Sequence, residues 1–226
     1  MDRQQALAAI QARHAVRQFT DQPLEPGVRQ ALMEAVAAEN EAGGLHLQVL
    51  FDEPAAFGGM RAHYGRFRGV RHYLALIGRK APDLAQRCGF HGQQVVLLAQ
   101  HLGLNSCWVA LNFSRSQSRA EVGPKERFVV AVALGYGVTP GRSHKVRALT
   151  ELGEVADGGP WPPWFEAGVA AAQLAPSGLN QQRFHFRLEG EAVTGSAGWS
   201  SYAEVDLGIA RRHFQIGAGP GPWHWA

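Results

Sequence analysis

The sequence has few cysteines, few charged residues and no long apolar run. Its two cysteines, Cys88 and Cys107, lack the spacing of metal ligands or of a redox pair, which predicts reduced thiols in the core. No uncharged apolar stretch is long enough to span a bilayer, and the first residues carry no secretion signal, so we expect a cytoplasmic protein. Lys and Arg are scattered, so a net charge of +3 does not indicate a nucleic-acid partner.

The composition is that of a folded chain with a sizeable core. Hydrophobic residues make up 46% of the 226 residues and charged residues 18%, which argues against extensive disorder. No motif has the spacing of metal ligands, and no Ser-His-Asp grouping stands out. Metal-dependent hydrolysis and serine-type catalysis therefore have no support in the sequence.

Hydrophobic periodicity predicts helices and strands along the whole chain. The predicted helices cover residues 2–14, 26–43, 83–101, 164–174 and 203–216. The predicted strands cover residues 45–51, 73–77, 107–111, 128–134, 183–188 and 192–197. This order indicates an α+β fold.

A Gly- and Pro-rich stretch, Asp157 to Pro163, is the clearest hinge. After it the order helix, strand, strand, helix recurs, with an offset that drifts between roughly 110 and 135 residues. We interpret this as a decayed internal duplication, with halves 1–155 and 160–226 in one compact unit. Chance similarity between amphipathic helices is the alternative.

Two basic segments are candidates for binding a phosphate. Arg13 and Arg17 flank His14 and are four residues apart, so they project to one side and form a fork suited to a dianion. A solvated helix end is the alternative. Lys145 and Arg147 alternate around a hydrophobic residue, which puts both cations on one face of an extended segment. Taken alone, this second segment is an ordinary basic loop.

Two further segments are candidates for binding a planar ring. A helix ends at the turn Pro176-Ser177-Gly178, and Asn180 and Gln182 follow it on what reads as an incoming strand. Carboxamides both donate and accept hydrogen bonds, so they could read the edge of a heterocycle. In the other segment Gly103 ends the long helix before Cys107, Trp108 and Val109. For the first segment the alternative is a generic turn between a helix and a strand. For the second it is simple packing of Trp108 in the core.

Together the four segments resemble motifs of the FMN-dependent nitroreductases. The run RHAVRQF from Arg13 is similar to their Arg-Arg/His-Ser-x-Arg/Lys-x-Phe opening, and APSGLNQQ from Ala175 is similar to their Ala-Pro-Ser-x-x-Asn-x-Gln loop. The turn LGLNSCW from Leu102 resembles their Gly-Leu-Gly-Ser-Cys-Trp, and Lys145-Val146-Arg147 resembles their late Lys-x-Arg. The resemblance implies a central, mostly antiparallel sheet flanked by helices.

The order of the motifs resembles that of the Thermotoga-type putative nitroreductases, in which two nitroreductase-like units are fused in one chain as a pseudo-dimer. In ordinary members the Pro-Ser loop follows the first basic motif closely, and FMN lies between two subunits. Here the intact loop comes only after the hinge, so each half would supply one side of a single site. A pseudo-dimer would need no partner chain.

The resemblance implies a set of cofactor contacts. The FMN phosphate would be held by Arg13, His14, Ala15, Arg17, Lys145 and Arg147. The ring would lie between the backbone near Cys107, Trp108 and Val109 and a second set consisting of Pro176, Ser177, Gly178, Asn180 and Gln182. Two positions depart from the family pattern: Ala15 replaces a serine, and Arg183 replaces a proline.

The implied activity is electron transfer from NAD(P)H through FMN to a nitroaromatic, a quinone or a similar small acceptor, without a dedicated catalytic acid or base. One alternative is a flavin-binding sensor or carrier that has lost turnover. Another is a basic α/β module that binds a different phosphorylated ligand.

Overall fold

The computed structural model describes the whole chain except the side chains of Arg61 and His63. Its helices are α1 (Arg3–Ala12), α2 (Pro26–Gly43), α3 (Met60–Tyr64), α4 (Leu84–His101), α5 (Pro163–Gln173) and α6 (Ala203–Ala218). Its strands are β1 (Gln48–Leu50), β2 (His72–Arg79), β3 (Asn105–Val109), β4 (Glu126–Gly135), β5 (Gly153–Val155), β6 (Phe184–Glu189), β7 (Ala192–Ala197) and β8 (His224–Trp225). Every predicted helix and strand is present.

Local chemistry accounts for the ends of the first two helices. Asp2 caps α1: its side chain accepts the Gln5 N–H at 2.8 Å, and the Gln5 side chain accepts the Asp2 N–H at 2.9 Å. Pro26 begins α2 at a position where its missing N–H has no cost. Gly44 ends α2 with φ +57°, a left-handed conformation that glycine adopts without strain.

The first sheet has the strand order β1-β2-β4-β3, and all its neighbouring strands are antiparallel. Alternate residues of β2 face different cores. Leu74 and Leu76 face the helices, whereas Tyr73, Ala75 and Ile77 pack on the opposite side. The sheet is therefore covered on both faces, with β3 at one edge.

The second sheet has the order β5-β6-β7-β8. The hairpin β6-β7 is antiparallel, whereas β5 and β8 join it in parallel at its two edges. The expected central sheet is thus divided into two sheets of four strands. Because β5 precedes the hinge, the front half of the chain contributes a strand to the sheet of the back half.

The long helices α4 and α6 cross at two glycines. A Cβ on Gly89 would lie 2.1 Å from the Val205 carbonyl oxygen, and a Cβ on Gly208 would lie 2.0 Å from that of Gln86. The contact is reciprocal, because each glycine meets the carbonyl three residues before the other. Only glycine permits this approach, which brings the two halves of the chain together.

Two further observations concern thiols and membranes. Cys88 and Cys107 are free and buried, and burial raises the pKa of the Cys88 thiol to about 12, so the prediction of core thiols is confirmed. Among the described residues, none of the helices has the length and apolar character needed to cross a bilayer.

Candidate functional site

The first basic segment lies along the free edge of β3. The helix α1 ends at Ala12, and the chain continues in an extended form in which Ala15 pairs with Ser106 as a parallel bridge. The Val16 N–H donates to the Ser106 carbonyl at 3.0 Å. The segment is therefore extended and bridged to the edge of the sheet rather than a frayed helix end, and it places Arg13 beside the start of β3.

Arg13 is a buried cation, two of whose nitrogens are unpaired among the described residues. Only 2% of its surface is exposed, and its Nε and Nη1 atoms have no hydrogen-bond partner among the described residues. Burial lowers the pKa of its guanidinium to about 10, so the group is still charged at neutral pH. A buried charge left uncompensated costs several kcal/mol, on the order of 3–5. An anion beside Arg13 would compensate this charge.

Three more buried polar atoms also lack partners within the described part of the chain: His14 Nδ1, Ser106 Oγ and His144 Nε2. The chain segments that carry them are in contact. Ser106 is the bridge partner of Ala15, and a Cβ on Gly141 would lie 2.7 Å from His14 Cβ. Burial lowers the pKa of His144, and the charges of Arg13 and His14 lower it further, which places all three side chains within electrostatic range.

Arg13 and Arg17 both lie within electrostatic range of Cys107, on a segment that is extended rather than helical. The charges of both act on the Cys107 thiol and lower its pKa, although burial is the larger effect and raises it. The two arginines differ in environment, because Arg13 is buried and Arg17 is exposed, with its guanidinium 6.0 Å from the Phe67 ring. The raised pKa keeps Cys107 a neutral thiol near neutral pH.

The second basic segment is bonded to the turn that follows α5. Asn180 Nδ2 donates to the Lys145 carbonyl at 2.8 Å, and the Arg147 N–H donates to Gln182 Oε1 at 2.8 Å. Gln173 Nε2 donates to the Arg147 carbonyl at 2.6 Å. The second basic segment and the turn after α5 are therefore in direct contact.

The turn that carries Pro176, Ser177 and Gly178 is held in an unusual backbone conformation. Leu179, Asn180 and Gln182 have φ values of +53°, +55° and +49°, a left-handed region that costs energy for residues other than glycine. Two hydrogen bonds hold the turn: Ser177 Oγ accepts the Gln182 N–H at 2.9 Å, and Asp206 Oδ2 accepts the Gly178 N–H at 2.9 Å.

The role expected for Gln182 is corrected by its hydrogen bonds. The residue is completely buried, its carboxamide oxygen accepts the Arg147 N–H, and its nitrogen donates to the Gln173 carbonyl at 2.5 Å. Both ends of the side chain are engaged with backbone, so Gln182 braces the turn and is not free to contact a ring. With Asn180 and Gln182 both in the left-handed region, the incoming strand begins only at Phe184.

The guanidinium of Arg147 is likewise engaged within the protein. It lies 3.0 Å from Glu151 and 3.4 Å from the Gln182 carbonyl oxygen. Lys145 is exposed. The four expected phosphate-binding cations thus comprise one buried arginine without a partner, two exposed cations and one arginine held by a carboxylate.

A buried chain of hydrogen bonds fixes Trp108. Its indole N–H donates to Gln93 Oε1 at 3.0 Å, and Gln93 Nε2 lies 2.7 Å from His213 Nε2. His213 Nδ1 lies 3.0 Å from the Ala171 carbonyl oxygen. Burial lowers the pKa of His213 to about 3, so this imidazole is neutral and each donor has one acceptor. The chain joins β3 to α5 through α4 and α6.

Sequence reasoning gave no role to Ser106 or His144. Ser106 lies in the quoted turn LGLNSCW and His144 directly precedes Lys145, but their chemistry depends on burial, which the sequence does not reveal. One signal was available: the absence of a hydroxyl at Ala15. The bridge partner of Ala15 supplies a buried hydroxyl at Ser106. Among the described side chains, no group of three or more His, Cys, Asp or Glu could hold a metal.

Comparison with known proteins identifies the family. The family model described as "Putative TM nitroreductase" matches residues 5–218. The chain belongs to this family. No curated protein matches the chain.

Solved structures agree on the fold. A nitroreductase from Thermotoga maritima, titled putative, is 23% identical, with a TM-score of 0.66 over 93% of this chain and 82% of that one. A Desulfovibrio desulfuricans nitroreductase solved in complex with FMN is 21% identical, with a TM-score of 0.51 over 65% of this chain and 93% of that one. A Parabacteroides distasonis protein titled NADH dehydrogenase/NAD(P)H nitroreductase is 18% identical, with a TM-score of 0.53 over 66% and 96%. The nitroreductase-like α+β fold is thereby confirmed.

Proposed function

We propose that this chain binds one FMN and uses it to pass electrons from NAD(P)H to a small acceptor such as a nitroaromatic or a quinone. The observation that carries the proposal is the buried guanidinium of Arg13, whose Nε and Nη1 atoms have no partner. Such a group calls for an anion. The family, together with a fold neighbour solved with FMN, favours the FMN phosphate as that anion.

The residues around Arg13 fit a phosphate group. Arginine donates two parallel hydrogen bonds to phosphate oxygens. The Ser106 hydroxyl can donate a third, because Ser106 is the bridge partner of Ala15, which has no hydroxyl of its own. His14 and His144 each hold an additional nitrogen in the same region. The exposed Arg17 and Lys145 would add positive potential, and Arg147 would support the site through its bonds to Gln182.

The ring would lie between two parts of the chain. On one side we assign the turn formed by Pro176, Ser177, Gly178 and Asn180, whose backbone is locked by Asp206 and Ser177. On the other side we assign the backbone of Cys107, Trp108 and Val109. Rigid walls of this kind orient a planar group at little entropic cost when it binds.

FMN, if bound, would supply the electron-transfer chemistry between NAD(P)H and the acceptor. The chain's own residues bind and orient. Arg13 and Ser106 hold the phosphate, and the locked turn limits the face on which reductant and acceptor can alternate. The neutral Cys107 thiol would remain a wall of the site rather than a nucleophile. We assign no catalytic acid or base.

We also infer that residues 1–155 and 160–226 descend from one duplicated unit. The reciprocal contacts at Gly89 and Gly208 support this. The strands that follow the two long helices also support it. After α4, strand β3 runs parallel to β2, with β4 between them. After α6, strand β8 runs parallel to β7 and pairs with it directly. No strand stands between β7 and β8. A single chain would then suffice for one site, and light scattering of the FMN-loaded protein should show a monomer.

The test replaces Arg13 by glutamine. FMN affinity should fall about 10- to 100-fold, the loss expected for charge-assisted hydrogen bonds, as measured by fluorescence quenching on titration. The cofactor-free variant should be about as stable as the natural protein, because the Nε and Nη1 atoms of Arg13 have no hydrogen bond to lose among the described residues. NAD(P)H oxidation with menadione should fall in proportion to FMN occupancy.

Arg187→Gln is the matched control, since Arg187 forms only an exposed pair with Glu154 at 3.2 Å. That variant should bind FMN normally. Unchanged FMN affinity in Arg13→Gln would refute the phosphate assignment. A yellow FMN-loaded protein that oxidises no NAD(P)H would show a flavin-binding sensor or carrier instead of a reductase.

A further inference from the structure

The turn after α5 uses its polar groups to hold its own backbone. Four of its backbone N–H groups donate to acceptors within the protein, at distances between 2.9 and 3.1 Å. The four donors belong to Gly178, Asn180, Gln181 and Gln182. These N–H groups are therefore already paired before a ligand arrives.

The two carboxamides of the turn are also engaged with the backbone. The oxygen of the Gln182 side chain accepts the Arg147 N–H at 2.8 Å, and its nitrogen donates to the Gln173 carbonyl at 2.5 Å. The nitrogen of the Asn180 side chain donates to the Lys145 carbonyl at 2.8 Å. Asn180 is exposed, so water competes for any further hydrogen bond that its oxygen could accept. The turn thus offers a ring a fixed surface rather than free carboxamides.

The groups assigned to the phosphate are in the opposite condition. Arg13 Nε, Arg13 Nη1 and Ser106 Oγ are buried and have no hydrogen-bond partner in the part of the chain that the structure describes. Hydrogen bonds to a charged group are about twice as strong as neutral ones, and a ligand that pairs a buried donor also removes the cost of leaving it unpaired. The unmet hydrogen-bonding capacity of the site is therefore concentrated at its phosphate end.

We propose, building on the function proposed above, that this chain recognises its cofactor by the phosphate and not by the polar edge of the ring. The cofactor class is then a planar heterocycle that carries a phosphate ester, of which FMN is one member. The carboxamides of Asn180 and Gln182 brace the turn, which departs from the role that the resemblance to the family implies for them. Changes at the ring edge should be tolerated, whereas loss of the phosphate should not.

The test compares the affinities of three ligands by fluorescence quenching. The ligands are FMN, riboflavin, which lacks the phosphate, and 3-methyl-FMN, in which a methyl group replaces the hydrogen of the N–H at the polar edge of the ring. Riboflavin should bind about 100-fold more weakly than FMN, because it forfeits at least two charge-assisted hydrogen bonds. The Kd of 3-methyl-FMN should stay within about threefold of that of FMN, whereas loss of a hydrogen bond from the ring N–H to a buried acceptor would raise it about tenfold.

Asn180→Gly is the informative variant. Asn180 has φ +55°, and glycine adopts that conformation without strain, so the substitution removes the carboxamide and permits the same backbone. Any loosening of the turn should weaken FMN and 3-methyl-FMN by the same factor, because it does not involve the ring N–H. Gln30→Ala is the matched control: it removes an exposed carboxamide of α2 that bonds Glu34 at 2.8 Å, and it should leave both Kd values unchanged.

A contact to the ring edge would be visible in either comparison. Binding of 3-methyl-FMN beyond the threefold margin, or a loss in Asn180→Gly that affects FMN alone, would overturn this inference and leave a flavin-dependent function standing. Riboflavin that binds as tightly as FMN would also overturn it. Absence of saturable FMN binding would overturn both the inference and the proposed function.

Discussion

Replacing His213 should change how stability depends on pH. In the folded protein burial lowers the pKa of His213 to about 3 from an ordinary value of 6.5. As the pH falls below 6.5 the unfolded chain takes up a proton that the folded chain does not, so folding stability falls. The slope approaches about 1.4 kcal/mol per pH unit. Between pH 6.5 and pH 4.5 the loss attributable to this residue is about 2.5 kcal/mol.

Asp206 should oppose this effect in almost the same window. Burial raises the pKa of its carboxyl to about 6 from 3.8, and the Gly178 N–H only partly offsets that. Here the folded chain takes up the proton first, so stability rises by up to about 1.4 kcal/mol per unit as the pH falls from 6 to 4. The contributions of His213 and Asp206 to the pH dependence of folding stability therefore nearly cancel between pH 6 and 4. Their combined effect on the stability of the natural protein should be small in that range.

The assay is urea unfolding of the cofactor-free protein at pH 4.5, 5.5, 6.5 and 7.5, for the natural chain, His213→Asn and Asp206→Asn. The difference between the natural chain and His213→Asn should shrink toward acid by about 2.5 kcal/mol. Asp206→Asn should lose stability more steeply toward acid than the natural chain. Constant differences at all four pH values would refute the view that His213 is held neutral by burial.

Two further substitutions test the framework around the site. Gly208→Ala should destabilise the protein by about 3 kcal/mol in chemical denaturation, because the new Cβ would meet the Gln86 carbonyl oxygen. Gly27→Ala, where a Cβ meets nothing within 4 Å, should be neutral or slightly stabilising, and equal effects at the two glycines would contradict the crossing. Trp108→Phe removes the donor to the buried Gln93 oxygen and should cost about 1–3 kcal/mol, whereas a cost near zero would mean that the indole bond contributes nothing net.

The longer helices and strands could be predicted because their patterns are local. Apolar spacing and caps such as Asp2 and Gly44 depend on neighbours within a turn or two. The strands β5 and β8 could not be predicted, since they have three and two residues and exist only through pairing with distant strands. The division into two sheets follows from the same non-local pairing.

The candidate site, too, could be predicted from the sequence only in part. Convergence of both basic segments with the turn after α5 was a spatial hypothesis drawn from motifs. The bonds of Asn180 and Gln182 join the second basic segment to that turn, and convergence of the first segment with the turn stays a prediction. The error over Gln182 arose because alternation along a strand was assumed where the backbone is left-handed. The parts played by His144 and Ser106 follow from burial, which tertiary packing decides.

The packing of α4 on α6 sets the geometry of the whole site. The close approach at Gly89 and Gly208 allows Gln93 on α4 to reach His213 on α6. Through these two side chains β3, which borders Arg13, is tied to α5, which leads into the turn at Pro176. The distance between the two walls of the site is therefore fixed by a helix crossing and a buried chain of hydrogen bonds rather than by the loops themselves. Substitutions in that chain should alter cofactor affinity although none of its side chains needs to touch the cofactor phosphate.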